Sequence, residues 1–352
     1  MIVKNIKLTH VRVPLVEPFR ISSGAVAEKD AIVVRVETEE FIGYGESSPM
    51  AGAFYSSDTP ESCWRELNES LAPALIGKNC TAESVSRLPG SNFAKAGLET
   101  AFWDIEAKRT GKPLCEVLGG EAKPVESGLA VGLYDDPADM LRTIERYLAD
   151  GYKRVKIKIE RGRDVELVRA VRETFGDIPL FVDANGAYDL SDIEVFKALD
   201  DFGLMMFEQP FPGPMLQELA QLQCKVRTPI CLDESLESEA GVRRAIELGS
   251  MKIANIKIQR VGGFGPALAI YEICKEHGIP VWVGTMPELG IGQAQGMALA
   301  TLSHCQYPTD VEASLRWFRD DIIHPYLEVR DGYLDPGRAY EVSEAKLKEY
   351  AV

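Results

Sequence analysis

The chain has 352 residues, 45% of them apolar and 26% charged, with a formal net charge of −15. That length accommodates one large barrel plus a smaller domain, and the composition is that of a soluble globular protein. The negative balance excludes nucleic acid and anionic membrane surfaces as partners, because both would repel it, but leaves room for a small anionic substrate held by a local cluster of cations.

Seven cysteines show no C-x-x-C spacing and four histidines show no ligand spacing, so reduced thiols are expected and a zinc or disulfide framework is not. The start of the chain lacks a cationic-then-apolar signal pattern, and no apolar run approaches about 18 residues. A cytoplasmic location without a membrane span follows, and a homo-oligomer is the expected assembly.

Ile2 to Val13 reads as a first strand. The stretch 15–29, with Pro18, Ser22, Ser23 and Gly24, reads as a loop, followed by strands at Ala31–Thr38 and Phe41–Glu46 joined at Glu39-Glu40. A second loop, 47–59, holds Met50, Phe54 and Tyr55. These three either plug the loop's underside or wall a substrate pocket. Thr59-Pro60 opens a helix. Ala94 to Lys108 is a second, with Leu98, Ala101, Phe102 and Ile105 on one face, and Pro113 to Leu118 a short third. Strands followed by helices describe an α+β domain over 1–124.

From Val125 the pattern alternates. Strands fit near 126–131, 153–159, 179–183, 203–208, 229–233, 252–257, 280–284 and 308–311, with seven helices between them. The fold class is therefore α/β, a modified TIM barrel of (β/α)7β type over 125–314 with an N-terminal capping domain. Residues 315–352 are expected to pack back on that cap.

In Val155-Lys156-Ile157-Lys158-Ile159, side chains alternate, so two ammonium groups share the face opposite the three apolar ones. Such a strand requires carboxylates, a metal or an anion in front of it. Asp183, Glu208 and Asp233 follow, each ending an apolar run, and Lys257 comes after them; the four are spaced by 25, 25 and 24 residues. Active sites of parallel barrels lie at the carboxyl ends of the strands. Three acids side by side there call for a hard divalent cation, for which Mg²⁺ fits best and Mn²⁺ is a substitute.

Lys158 and Lys257 flank that row. Near a cation, or partly desolvated, such lysines have a lowered pKa and suit proton removal next to a carboxylate, through an enediolate that the ion stabilises. Lys156, a step deeper, is read as holding the acids and tuning Lys158. Asn185, Asn255 and Glu234 are candidates to support the acids from behind. Arg260 either contacts substrate, or acidifies Lys257, or is a surface residue.

Lys156-Ile157-Lys158, Asp183-Ala184-Asn185, Glu208-Gln209-Pro210, Asp233-Glu234-Ser235 and Asn255-Ile256-Lys257 with Arg260-Val261-Gly262-Gly263 resemble the enolase superfamily. Within its muconate-lactonizing subgroup they are most similar to the o-succinylbenzoate synthase/N-acylamino acid racemase family. The resemblance implies Lys158 and Lys257 as the acid/base pair and Asp183, Glu208 and Asp233 as Mg²⁺ ligands. It also implies loops 15–29 and 47–59 closing over a small carboxylate substrate, with Phe19, Met50, Phe54, Tyr55, Thr285 and Met286 setting specificity and Glu288 close by. The implied activity is o-succinylbenzoate formation by dehydration in menaquinone biosynthesis, a carbon–oxygen lyase. N-acylamino acid (N-succinylamino acid) racemase is the alternative, ahead of dipeptide epimerase and muconate cycloisomerase. A non-catalytic binding protein on a decayed barrel would have lost one of the five charged residues, and all five are present. Gln259, Thr285, Pro287 and Glu312 depart from the family pattern.

Overall fold

The computed structural model describes residues 1–52 and 55–352. Its first layer is a three-stranded antiparallel sheet of Asn5–Ile21, Gly24–Glu37 and Ile42–Ser47, in that order. Helix Asn92–Thr110 lies across this sheet. A Cβ on Gly43 would fall 2.1 Å from the carbonyl oxygen of Ala101, and one on Gly45 would fall 2.0 Å from that of Gly97. Only glycine at these two positions lets helix and strand approach so closely.

The stretch 15–29 is not a loop. Asn5–Ile21 and Gly24–Glu37 run on as one long hairpin, with a register shift between Pro14 and Phe19. The two prolines are tolerated because the first strand is an edge strand, where missing donors leave no ladder bond unmade. From Ser48 to Thr59 the described residues form neither helix nor strand until Pro60 opens helix Pro60–Glu66.

The second layer is a seven-stranded parallel sheet of Leu129–Val131, Val155–Lys158, Leu180–Asp183, Phe207–Glu208, Ile230–Leu232, Ile253–Ile256 and Val281–Val283, paired in chain order. The expected eighth strand, 308–311, is reduced to single bridges. Thr309 bridges to Ser127 and Cys305 to Val281, both parallel. The Thr309 carbonyl accepts from Gly128 N–H (2.8 Å) and the Asp310 N–H donates to Val283 O (3.0 Å). This segment thus touches both edges and closes the ring. Pro308, without a donor, interrupts any longer ladder.

Outer helices pack on the sheet through a large apolar cluster, while Phe181, Met206, Cys231, Ile253 and Trp282 form a separate one. The C-terminal stretch returns to the first hairpin strand, with bridges Leu15–Phe318 and Val11–Ala351. Among the described residues no helix is long and apolar enough to cross a membrane.

Candidate active site

Strand register builds the site. Lys158 pairs with Asp183, and Asp183 with Glu208, so these three stand at one level on neighbouring strands. Asp233 immediately follows the next strand and Lys257 the one after that. Lys156, Lys158 and Lys257 are 3%, 6% and 6% exposed, and the three acids are at most 1% exposed. Charges so buried persist only when paired.

The pairing is specific. Lys158 Nζ lies 2.5 Å from Asp183 Oδ2 at one end of the row, and Lys257 Nζ lies 2.9 Å from Asp233 Oδ2 at the other. Lys156 sits below, 3.1 Å from Glu208, 3.4 Å from Asp183 and 2.7 Å from Asp310. Asn255 Nδ2 donates to Glu208 at 2.9 Å. Its position beside Gly284 is fixed by space, since a Cβ there would meet Asn255 Oδ1 at 2.3 Å. Asn185, at φ 44°, donates its backbone N–H to Asp183 (2.9 Å) and its side-chain amide to Glu234 (3.0 Å). Asparagine is among the residues that tolerate this left-handed backbone.

Arg260 is buried, which removes the surface reading. It pairs with Asp233 and donates to the Tyr55 hydroxyl, which also accepts from Lys257 at 3.1 Å and donates to Asp233 at 3.2 Å. Phe19, Met50, Tyr55, Thr285 and Met286 line one cavity together with Lys156, Lys158, Asn185 and Lys257. Phe54 lies outside the described residues. Glu288 does not line this cavity. It is buried beside Gly292, whose Cβ would come within 2.5 Å of the Glu288 side chain.

Burial pushes the Glu208 carboxyl up to about 8, and the neighbouring Asp183 charge adds to the rise. Burial also opposes ionisation of Asp183 and Asp233. There the lysines, and for Asp233 first Arg260, outweigh it and hold both below the usual range. Lys257 departs from the expected depression: burial lowers its pKa, but Asp233 more than compensates and the ammonium is held above its ordinary value.

Among the described residues no three carboxylate, imidazole or thiol groups converge tightly enough to enclose an ion as they stand. The ion pairs explain this, because Lys158, Lys257 and Arg260 occupy oxygens of Asp183 and Asp233. The donor set still fits a hard cation: it is all oxygen, on three adjoining strands, with Glu208 short of compensating positive charge.

Sequence reasoning missed several participants. Asp310 ties Lys156 to Arg154, whose guanidinium lies over the rings of Phe181 (4.9 Å) and Trp282 (5.2 Å). Extending the Lys158–Lys156 alternation back by two residues would have found Arg154. Gln209 O ε1 accepts from the N–H groups of Asp233 (2.9 Å) and Ser235 (3.2 Å), aiming the third acid. Gln259 joins the segment after Lys257 to the first layer, donating to Glu46 O (2.7 Å) and accepting from Ser48 N–H (3.0 Å). Lys29, buried, donates to the carbonyls of Ser48, Pro49 and Met286.

Two family models cover most of the chain. One, the mandelate racemase/muconate lactonizing enzyme N-terminal domain, matches residues 3–119, and the other, the enolase C-terminal domain-like family, matches 139–346. An o-succinylbenzoate synthase of Geobacillus kaustophilus is 42% identical, over 99% of this chain and 96% of its own. An N-succinylamino acid racemase of an Amycolatopsis species is 40% identical, over 93% and 90%. A solved structure from Listeria innocua, described as a member of the enolase superfamily, superposes with a TM-score of 0.94 at 34% identity, covering 100% of this chain and 98% of that one.

Proposed function

Because the chain belongs to the enolase superfamily and is an enzyme of it, we propose that it removes a proton alpha to a carboxylate through an enediolate, acting as an o-succinylbenzoate synthase. The observation that carries this reading is the amine at each end of the acid row, Lys158 against Asp183 and Lys257 against Asp233. A bimolecular proton transfer becomes an arranged one when the base is already in place.

Asp183, Glu208 and Asp233 are the residues that would hold Mg²⁺, which would polarise the substrate carboxylate and offset charge developing on it. Lys158, at the Asp183 end of the row, is placed to act as the base. It takes the α-proton and returns a proton to the departing hydroxyl, which leaves as water. Lys257, kept cationic by its surroundings, faces the other side and stabilises the negative charge. Phe19, Met50, Met286 and Trp317 give the cavity its apolar walls.

A second reading, N-succinylamino acid racemisation, is favoured by the same pair of amines, since each face of a bound α-carbon would meet one lysine. The test uses purified protein with and without Mg²⁺. Mg²⁺-dependent consumption of the cyclohexadiene precursor, abolished by chelation, supports the synthase. Exchange of the α-proton for deuterium in both enantiomers of an N-succinylamino acid supports the racemase. Neither reaction in the presence of metal overturns both.

A further inference from the structure

The mouth of the barrel is closed unusually between its last and first strands. Deeper in, backbone joins backbone: Thr309 N–H donates to Glu126 O (2.9 Å) and Gly128 N–H to Thr309 O (2.8 Å). One step further out, at Ala130, the ladder is replaced by two side chains. Glu312 Oε1 accepts from the Ala130 N–H at 2.8 Å, and Arg316 Nη2 donates to the Ala130 carbonyl at 3.0 Å. The two side chains form an ion pair at 3.2 Å. Glu312 is 0% and Arg316 5% exposed.

Ala130 sits opposite Lys156 in the strand register, and it lines the cavity that also contains Lys158 and Lys257. Arg316 lies over the ring of Trp317 (4.6 Å), and Trp317 meets Phe19 edge-on at 5.0 Å between ring centres. Both aromatic residues line the same cavity. The pair therefore grips one wall of the pocket by its backbone and the next by its ring. A buried ion pair is poor at adding stability compared with apolar packing, and its better-attested use is to fix one arrangement.

We infer that Glu312 and Arg316 are positioning residues that set the placement of Ala130 and Trp317 and thereby decide which acyl group the pocket admits. The inference rests on the reading of an N-acyl or succinyl-bearing carboxylate substrate given above.

The test follows α-proton exchange in D2O by NMR, with Mg²⁺, for N-succinyl- and N-acetyl-phenylalanine. The proteins compared are wild type, Glu312→Gln, Arg316→Met, the double variant, and Ala130→Val, which leaves the pair intact. A methylene-scale change in a pocket wall is worth about tenfold or more in selectivity. Each single variant is expected to shift the succinyl-to-acetyl ratio of kcat/KM by at least about tenfold, through KM, with kcat within about threefold. The double variant should do no more than either single one. Ala130→Val should change the same ratio even if the charge variants fail to fold. An unchanged ratio in soluble variants, with both substrates losing activity together, overturns the inference and leaves a structural role. An unchanged ratio in Ala130→Val overturns it as well. Wild-type protein that exchanges neither substrate overturns the racemase reading and this inference with it, and consumption of the cyclohexadiene precursor by the same protein shows whether the synthase reading falls as well.

Discussion

Replacing Lys156 by methionine tests whether the row of acids is held together from below. The substitution keeps the unbranched chain as far as Cε and removes the ammonium that contacts Asp310, Glu208 and Asp183 at 2.7, 3.1 and 3.4 Å. Asp310 keeps Arg154 and Asp183 keeps Lys158, but Glu208 is left, among the described residues, with Asn255 alone. Removing one partner of a buried ionic cluster costs about 3–5 kcal/mol. An unfolding entropy of about 2.1 cal/mol/K per residue over 352 residues gives about 0.74 kcal/mol/K. The expected fall in Tm, measured by circular dichroism without divalent cations, is therefore about 4–7 °C. Mg²⁺ at about a hundred times its Kd adds about 2.7 kcal/mol, so it should restore about 4 °C and should stabilise the variant more than the wild type. A variant that melts within about 1 °C of wild type, or gains less from Mg²⁺ than wild type does, would refute the reasoning.

Alanine at Lys158 or at Lys257 should lower turnover by about 10²–10⁴-fold, the usual worth of a general acid or base, with Mg²⁺ affinity retained by calorimetry; activity within tenfold of wild type would exclude that lysine from the chemistry. Gln259→Ala removes two buried hydrogen bonds to Glu46 and Ser48, and at about 1 kcal/mol each KM should rise about tenfold or more while kcat holds; steady-state kinetics showing an unchanged KM would count against this link between the layers. Burial raises Glu99 from 4.5 to about 7, so the folded state holds a proton that the unfolded chain releases. Stability should then fall as pH rises through that window and level off above it, by roughly 3 kcal/mol at 1.36 kcal/mol per unit. Urea titrations should show a steeper drift in wild type than in Glu99→Gln, the difference being about that amount, and parallel pH profiles for the two would rule it out.

The barrel and its acids were legible because each β/α unit repeats: an apolar run, an acid at its end, then a helix. Asp183, Glu208 and Asp233 stood out by that beat. Asp310 did not, because its segment follows Pro308 and makes only single bridges, so no apolar run announced it. The hairpin through 15–29 is hidden in the sequence for a related reason: Pro14 and Pro18 look like loop markers, and only an edge position in a sheet makes them compatible with a strand. Lys29, Gln209 and Gln259 act on backbone groups of segments distant in sequence, a relation that periodicity does not encode. The direction of the Lys257 shift was hidden too, since it depends on how closely Asp233 and Arg260 approach in space.

Glu99 belongs to the helix that covers the small sheet, yet its two oxygens accept from the N–H groups of Phe264 (2.7 Å) and Gly265 (2.8 Å), at the start of a barrel helix. The side chain that completes that helix start is thus borrowed from elsewhere in the chain. A polypeptide severed between the two would leave bare amides on one piece and a stranded acid on the other. Evolution or engineering that swaps either half must therefore preserve both sides of this joint, or leave the start of that helix without its acceptors.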